Sequence, residues 1–146
     1  MRNISFIVTL TMFFVSAVGY AGDKEIIEYR QSLMKSLGKD AKALAPIMRG
    51  KTTYDGAIVS KHLNSIANIA NKAQLAFAAA VPGKAQGEAS PEIWNNWEDF
   101  KSRFAALEVE AQKVADLSNS RTKAEIVPQM GKLFVCKSCH DLYRIE

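Results

Sequence analysis

From residue 24 onward, apolar residues recur every three, four or seven positions, the spacing of one face of an α-helix. Four segments carry such a stripe. The first runs from about Lys24 to Met48 and aligns Ile26, Leu33, Leu37, Ala41, Leu44 and Met48; Pro46 falls in its last turn, where a kink is expected, and Gly50 closes it. The second runs from about Gly56 to Ala80, capped by Asp55, with Ile58 or Val59, then Leu63, Ile66, Ile69 or Ala70, and Ala73 facing inward. "VPGKAQGEAS" is the clearest linker. A third segment opens at Ser90-Pro91-Glu92, a cap, a tolerated first-turn proline and a dipole-matched acid, and carries Ile93, Trp94, Trp97, Phe100, Phe104, Leu107 and Val114. The fourth runs from about Thr122 to Arg144, interrupted by Pro128 and Gly131. Four amphipathic helices with short connections predict an all-α, antiparallel four-helix bundle. Strand formers are too few to support a sheet.

The first 21 residues behave differently. Arg2 supplies a positive end, an apolar run follows from Ile4 to Val18, and small Gly19 and Ala21 stand at the spacing a signal peptidase cleaves. The run is shorter than the ~20 residues a span needs, so residues 1–21 are expected to be a cleaved signal peptide rather than an anchor. The remainder, 22–146, is then one exported domain in the periplasm, with no further membrane span. The formal charge of +4 is modest, and the basic residues are scattered among acids, which argues against nucleic acid as a partner.

Near the end stands "FVCKSCHDLYR", with Cys136, Cys139 and His140 in the order C-x-x-C-H. A structural zinc site needs four ligands, and the chain holds two Cys and two His in all. A thioredoxin-like C-x-x-C follows a strand, which a helical pattern does not provide. A plain disulfide suits an oxidising compartment but leaves His140 without a role. Covalent haem attachment uses all three residues. On a helix they share one face, so both thiols can form thioethers while the imidazole reaches the iron. Export fits, because haem is attached in an oxidising compartment.

These stretches together resemble the class II cytochromes c, meaning cytochrome c′ and cytochrome c-556. The resemblance is carried by "EYRQSLM", "MRGKTTYD", "PEIWNNWEDF" and the C-terminal "CKSCHDLYR", in that order across nearly the whole exported chain. It implies one covalent haem c on Cys136 and Cys139, with His140 as the proximal iron ligand. It also implies Arg144 beside the proximal imidazole and Arg30 at a haem propionate. By the same resemblance the distal position falls to Met34. Where such a methionine ligates, the iron is six-coordinate and suited to electron transfer, a thioether raising the potential. Where that position does not ligate, the iron is five-coordinate and binds small gases.

Other candidates fall to geometry. Met130 lies ~15 Å before His140 on one expected helix, and Met48 ~21 Å beyond Met34, so neither reaches the iron alongside these partners. His62 aligns with the second stripe and is expected to be a hydrogen-bonded inward histidine rather than a ligand. Trp94 and Phe134 are candidates to touch the macrocycle, though the third segment's aromatics read mainly as core.

The expected function is a periplasmic monohaem electron carrier of the c-556 type, His/Met-ligated, with a five-coordinate, NO- or CO-binding cytochrome c′ as the alternative. It is not expected to be an enzyme, since no nucleophile or acid–base pair stands beside the motif. Redox proteins are the expected partners. Helix-one-to-helix-two dimers occur in the family, so the resemblance adds a homodimer.

Overall fold

The computed structural model describes residues 19–81 and 86–145; the expected signal segment lies outside them up to residue 18. Six helices follow in order: α1 Gly19–Met48, α2 Gly56–Phe77, α3 Glu92–Asn95, α4 Trp97–Leu117, α5 Lys123–Leu133 and α6 Cys136–Tyr143. α2 packs most extensively on α4 and next on α1, while α5 closes against α4 and α1. This is the all-α bundle that the stripes require, and the expected cleavage point after Ala21 falls in the first turn of α1.

The segment boundaries have local causes. Asp55 Oδ1 accepts from the amides of Ala57 at 2.9 Å and Ile58 at 3.1 Å, satisfying two of the orphan donors of α2. Gly50, at φ +68, ends α1 in the left-handed region where a Cβ is costly. The third expected segment divides at Asn96, whose amide donates to the Glu92 carbonyl at 3.3 Å and the Glu92 carboxylate at 2.9 Å. A short polar side chain competing for backbone partners in this way interrupts a helix. Glu98 and Asp99 then favour the first turn of α4.

The fourth segment also divides, but not where its breakers stand. Pro128 and Gly131 lie within α5, which starts from a capping box joining Thr122 and Glu125. The break comes at Phe134 and Val135, so Met130 and His140 occupy different helices rather than one. Ile126, Met130 and Leu133 are buried and hold α5 in register past its proline.

The core forms two clusters. One joins Leu44, Ile47, Val59, Leu63, Val114 and Met130; the other joins Leu33, Ala73, Phe77, Ile93, Phe100 and Tyr143. Each large apolar side chain fully buried there contributes ~1.5–3 kcal/mol. The alternatives in the second stripe resolve to Val59, with Ile58 left exposed, and to both Ile69 and Ala70. In the first stripe, Ile26 faces outward, while Arg30 and Ile47 are buried. The aromatic cluster adjoins α6 and forms the wall of the site.

Candidate functional site

α6 carries Cys136, Cys139 and His140 within its first five residues. Both cysteines are free thiols, Cys136 exposed and Cys139 half-buried, so the disulfide reading has no bond to rest on. Among the described residues no cluster of three or more His, Cys, Asp or Glu side chains could hold a metal ion, so the zinc reading also lacks a site.

Two cavities open against α6. The larger, about 440 Å³, runs between α1, the aromatic face of α4 and α6, and is lined by Arg30, Met34, Phe100, Cys139, His140 and Arg144, among others. The smaller, about 200 Å³, is bounded by Met34, Gly38, Arg103, Cys136, Cys139 and His140, among others. The cavities meet at Met34, Phe104, Cys139 and His140. The fold thus gathers all six expected residues: Cys136, Cys139 and His140 from one end of the chain, and Arg30 and Met34 from the other, with Arg144 at the rim.

Arg30 is 3% exposed. Its Nε donates to the Ala76 carbonyl at 2.8 Å and an Nη donates to the Ala79 carbonyl. The Ala76 carbonyl lies in the last turn of α2 and the Ala79 carbonyl just beyond its end, where a cation complements the helix dipole. The guanidinium packs over Phe77 at 4.9 Å and Trp94 at 5.4 Å from the ring centroids. Burial pushes its pKa down from the ordinary arginine value. The other Nη is buried without a hydrogen-bond partner among the described residues, and Arg30 lines the larger cavity. An orphaned cationic donor of this kind suits a ligand carboxylate.

Arg144 lines the larger cavity together with His140. Its guanidinium pairs with Glu88 at 2.7 Å. Its backbone bridges Ala89, stitching the 86–90 stretch to the end of α6. Its amide donates to the His140 carbonyl at 3.0 Å, which keeps it one helical turn from that residue. His62 Nδ1 instead meets Asp40 Oδ1 at 2.8 Å and lines neither cavity, as a hydrogen-bonded inward histidine should. Met130 is fully buried in the other core cluster. Phe134 lines the smaller cavity, while Trp94 reaches the site only through Arg30 and by donating to the Phe77 carbonyl at 2.9 Å.

Several residues at the site escaped the sequence reading. Tyr143 is buried, its ring meets Phe100 edge-on at 5.1 Å, and its hydroxyl donates to Asp99. Arg103 Nε donates to Asp99 at 2.6 Å. The Arg103 guanidinium, followed by the Tyr143 hydroxyl, holds the Asp99 carboxyl below its usual range. Burial pushes the Cys139 thiol up, opposed by the Arg103 charge. The available signal was the i, i+4 spacing of Asp99 with Arg103 beside two inward phenylalanines. Gln86, which lines the larger cavity with its side-chain oxygen unpaired among the described residues, had no signal at all.

The arrangement fits a haem c. Two thiols and an imidazole share one short helix beside a cavity of cofactor size with an apolar, aromatic lining. At its edge waits an unpartnered buried donor for a carboxylate.

Comparison with known proteins gives the same picture. The family described as Cytochrome C′ matches residues 25–144. A cytochrome c-556 from Agrobacterium tumefaciens is 34% identical over 122 residues, 82% of this chain and 97% of that protein. The solved structure of cytochrome c′ from Rhodopseudomonas palustris superposes with a TM-score of 0.74 at 29% identity, covering 83% of this chain and 96% of that one. A nitric oxide complex of a mutant cytochrome c′ from Alcaligenes xylosoxidans shares the fold, with a TM-score of 0.71 at 24% identity over 85% of this chain and 97% of that one.

These structural neighbours are cytochromes c′, and they overturn the expectation of a His/Met-ligated carrier of the c-556 type in favour of its five-coordinate alternative. The physical reason is that methionine spacing does not distinguish a ligand from packing. A flexible thioether fills irregular space as readily as it binds iron, and Met34 stands here as a wall between two cavities.

Proposed function

Since this chain belongs to the cytochrome c′ family, we propose that it is a periplasmic monohaem cytochrome with a five-coordinate iron that takes NO or CO. Proteins of this family carry a covalent haem c and are not enzymes. When bound, the haem supplies a redox-active iron with one open position for a diatomic gas.

The chain's own residues do the rest. Cys136 and Cys139 would tether the group through thioethers, and His140 would supply a nitrogen to the iron. Arg30 would donate its free Nη to a carboxylate at the edge. Phe100 and Phe104 exclude water. Met34, on the cavity wall shared with His140, would present an apolar thioether with no proton to donate, which would favour a neutral diatomic ligand.

The observation that carries this reading is the space around Met34. It lines both cavities, and at Gly38, one turn further along α1 on the same face, nothing lies within 4 Å of where a Cβ would stand. Gly38 thus adds no side chain to the wall beside Met34. The nitric oxide complex of the A. xylosoxidans protein lends support from the same fold.

Members of this family are typically periplasmic, and no helix among the described residues is long and apolar enough to cross a membrane. Export by the cleaved 1–21 segment, redox partner proteins and a homodimer through α1 and α2 belong to the proposal.

Visible and EPR spectra of the purified holoprotein test it. The expected result is a high-spin ferric signal and immediate CO binding on reduction, both retained in Met34→Leu. A low-spin ferric spectrum with a sulfur-to-iron charge-transfer band that disappears in Met34→Leu overturns it.

A further inference from the structure

α6 is a helix of eight residues, and His140 on it is exposed, so other elements must set its angle. On one side the Ser90 amide donates to the Tyr143 carbonyl at 3.0 Å, and the Ile145 amide to the Glu88 carbonyl at 2.9 Å. On the other side Tyr143 reaches down onto α4. Its ring lies edge-on to Phe100, its hydroxyl donates to Asp99, and the Arg103 guanidinium sits 5.8 Å from its ring centroid. Arg103 meanwhile pairs with Asp99 at 2.6 Å and lines the smaller cavity with Cys136, Cys139 and His140. One cation on the wall of the site is thus matched by one carboxylate just behind it.

We propose that Asp99, Arg103 and Tyr143 form a positioning and charge-balancing element for the haem: Tyr143 sets the angle of α6, and the Asp99 carboxylate offsets the Arg103 cation facing the site. The inference rests on the haem-binding reading above. None of the three residues bonds to iron; they act through α6 and through the local field. A cation beside the site favours the less positive ferrous state, and a carboxylate favours the ferric state. As a pair they largely cancel, so removing one member uncovers the other.

The side chains are 36% exposed for Arg103 and 50% for Asp99, so solvent screens the field. The expected size is about a threefold change in the ferrous-to-ferric ratio, or ~28 mV at 59 mV per decade for one electron.

The test is spectroelectrochemical titration of the holoprotein at low and high salt. Asp99→Asn is expected to raise the midpoint potential, Arg103→Gln to lower it, and the double variant to return close to wild type, with all shifts shrinking in salt. Arg103→Lys keeps the charge and should leave the potential near wild type. Breaking the pair for purely structural reasons would move both single variants in the same direction. That outcome, no shift in either, or a Lys variant that behaves like the Gln variant overturns the inference. A wild-type protein without covalent haem overturns instead the reading on which it rests.

Discussion

Replacing Arg30 with methionine preserves most of the side-chain stem and deletes the charged head. Two hydrogen bonds vanish, from Nε to Ala76 and from an Nη to Ala79, and one carbonyl at the end of α2 and one just past it lose their donor. A hydrogen bond to a charged group contributes ~1.5–3 kcal/mol, and cation–π contact with two rings adds ~0.5–1 kcal/mol each. Against these stands the cost of keeping a guanidinium that is 3% exposed out of water, which amounts to several kcal/mol for a buried ion. The balance is a net loss of about 3 kcal/mol on substitution. For a domain of this size that corresponds to a fall of about 12 °C in Tm. Urea and thermal melts of the holoprotein, followed by far-UV circular dichroism, measure it. Arg30→Lys should recover less than half of the loss, because an ammonium cannot span two carbonyls as the planar fork does. A methionine variant within about 1 kcal/mol of wild type, or full rescue by lysine, would refute the reasoning.

Two further outcomes are expected. At Gly56 a Cβ would stand 2.9 Å from the Ser118 carbonyl carbon, which is backbone and cannot yield, so Gly56→Ala should cost at least ~2 kcal/mol; Gly38→Ala, where nothing lies within 4 Å, should stabilise by ~0.5–1 kcal/mol, and urea melts of the pair read the contrast. The Glu125 carboxyl is held below its ordinary range, first by the Thr122 amide and then by the Thr122 hydroxyl, so its contribution to α5 is present above the unfolded pKa and lost as pH falls through the folded one. A carbon-detected NMR titration should place its midpoint below that of a free glutamate, and Thr122→Ala should bring it part of the way back, because the substitution removes the hydroxyl and keeps the amide. A midpoint that Thr122→Ala leaves unmoved would remove the Thr122 hydroxyl as a cause and leave the amide alone.

Much of the bundle is visible in the spacing of single residues. Asp55 as the cap of α2, Gly50 as the end of α1 and the buried faces through Leu63, Ile66, Phe100 and Phe104 follow from local chemistry, which the fold satisfies without compromise. The helix breaks were less legible. Pro128 and Gly131 are the strongest breakers near the C-terminus, yet α5 continues through both and stops at Phe134, because three buried side chains outweigh one lost backbone bond. Arg30 reads as a surface residue by type and is buried by its position between Phe77 and Trp94, two rings brought to it from other helices.

The same division runs through the site. Cys136, Cys139 and His140 act as a unit because they are neighbours on one helix, so the order C-x-x-C-H alone determined their shared face and pointed to a haem tether. Their surroundings are a matter of long-range packing. The sequence contains Met34 without saying whether its sulfur binds or merely packs. It shows Asp99 and Arg103 four apart without Tyr143, forty residues away, that joins them to α6. Periodicity is a local property and survives in one dimension. The charge beside a ligand, the room behind a side chain and the partner of a buried cation depend on which helices meet, and that was decided only when the bundle closed.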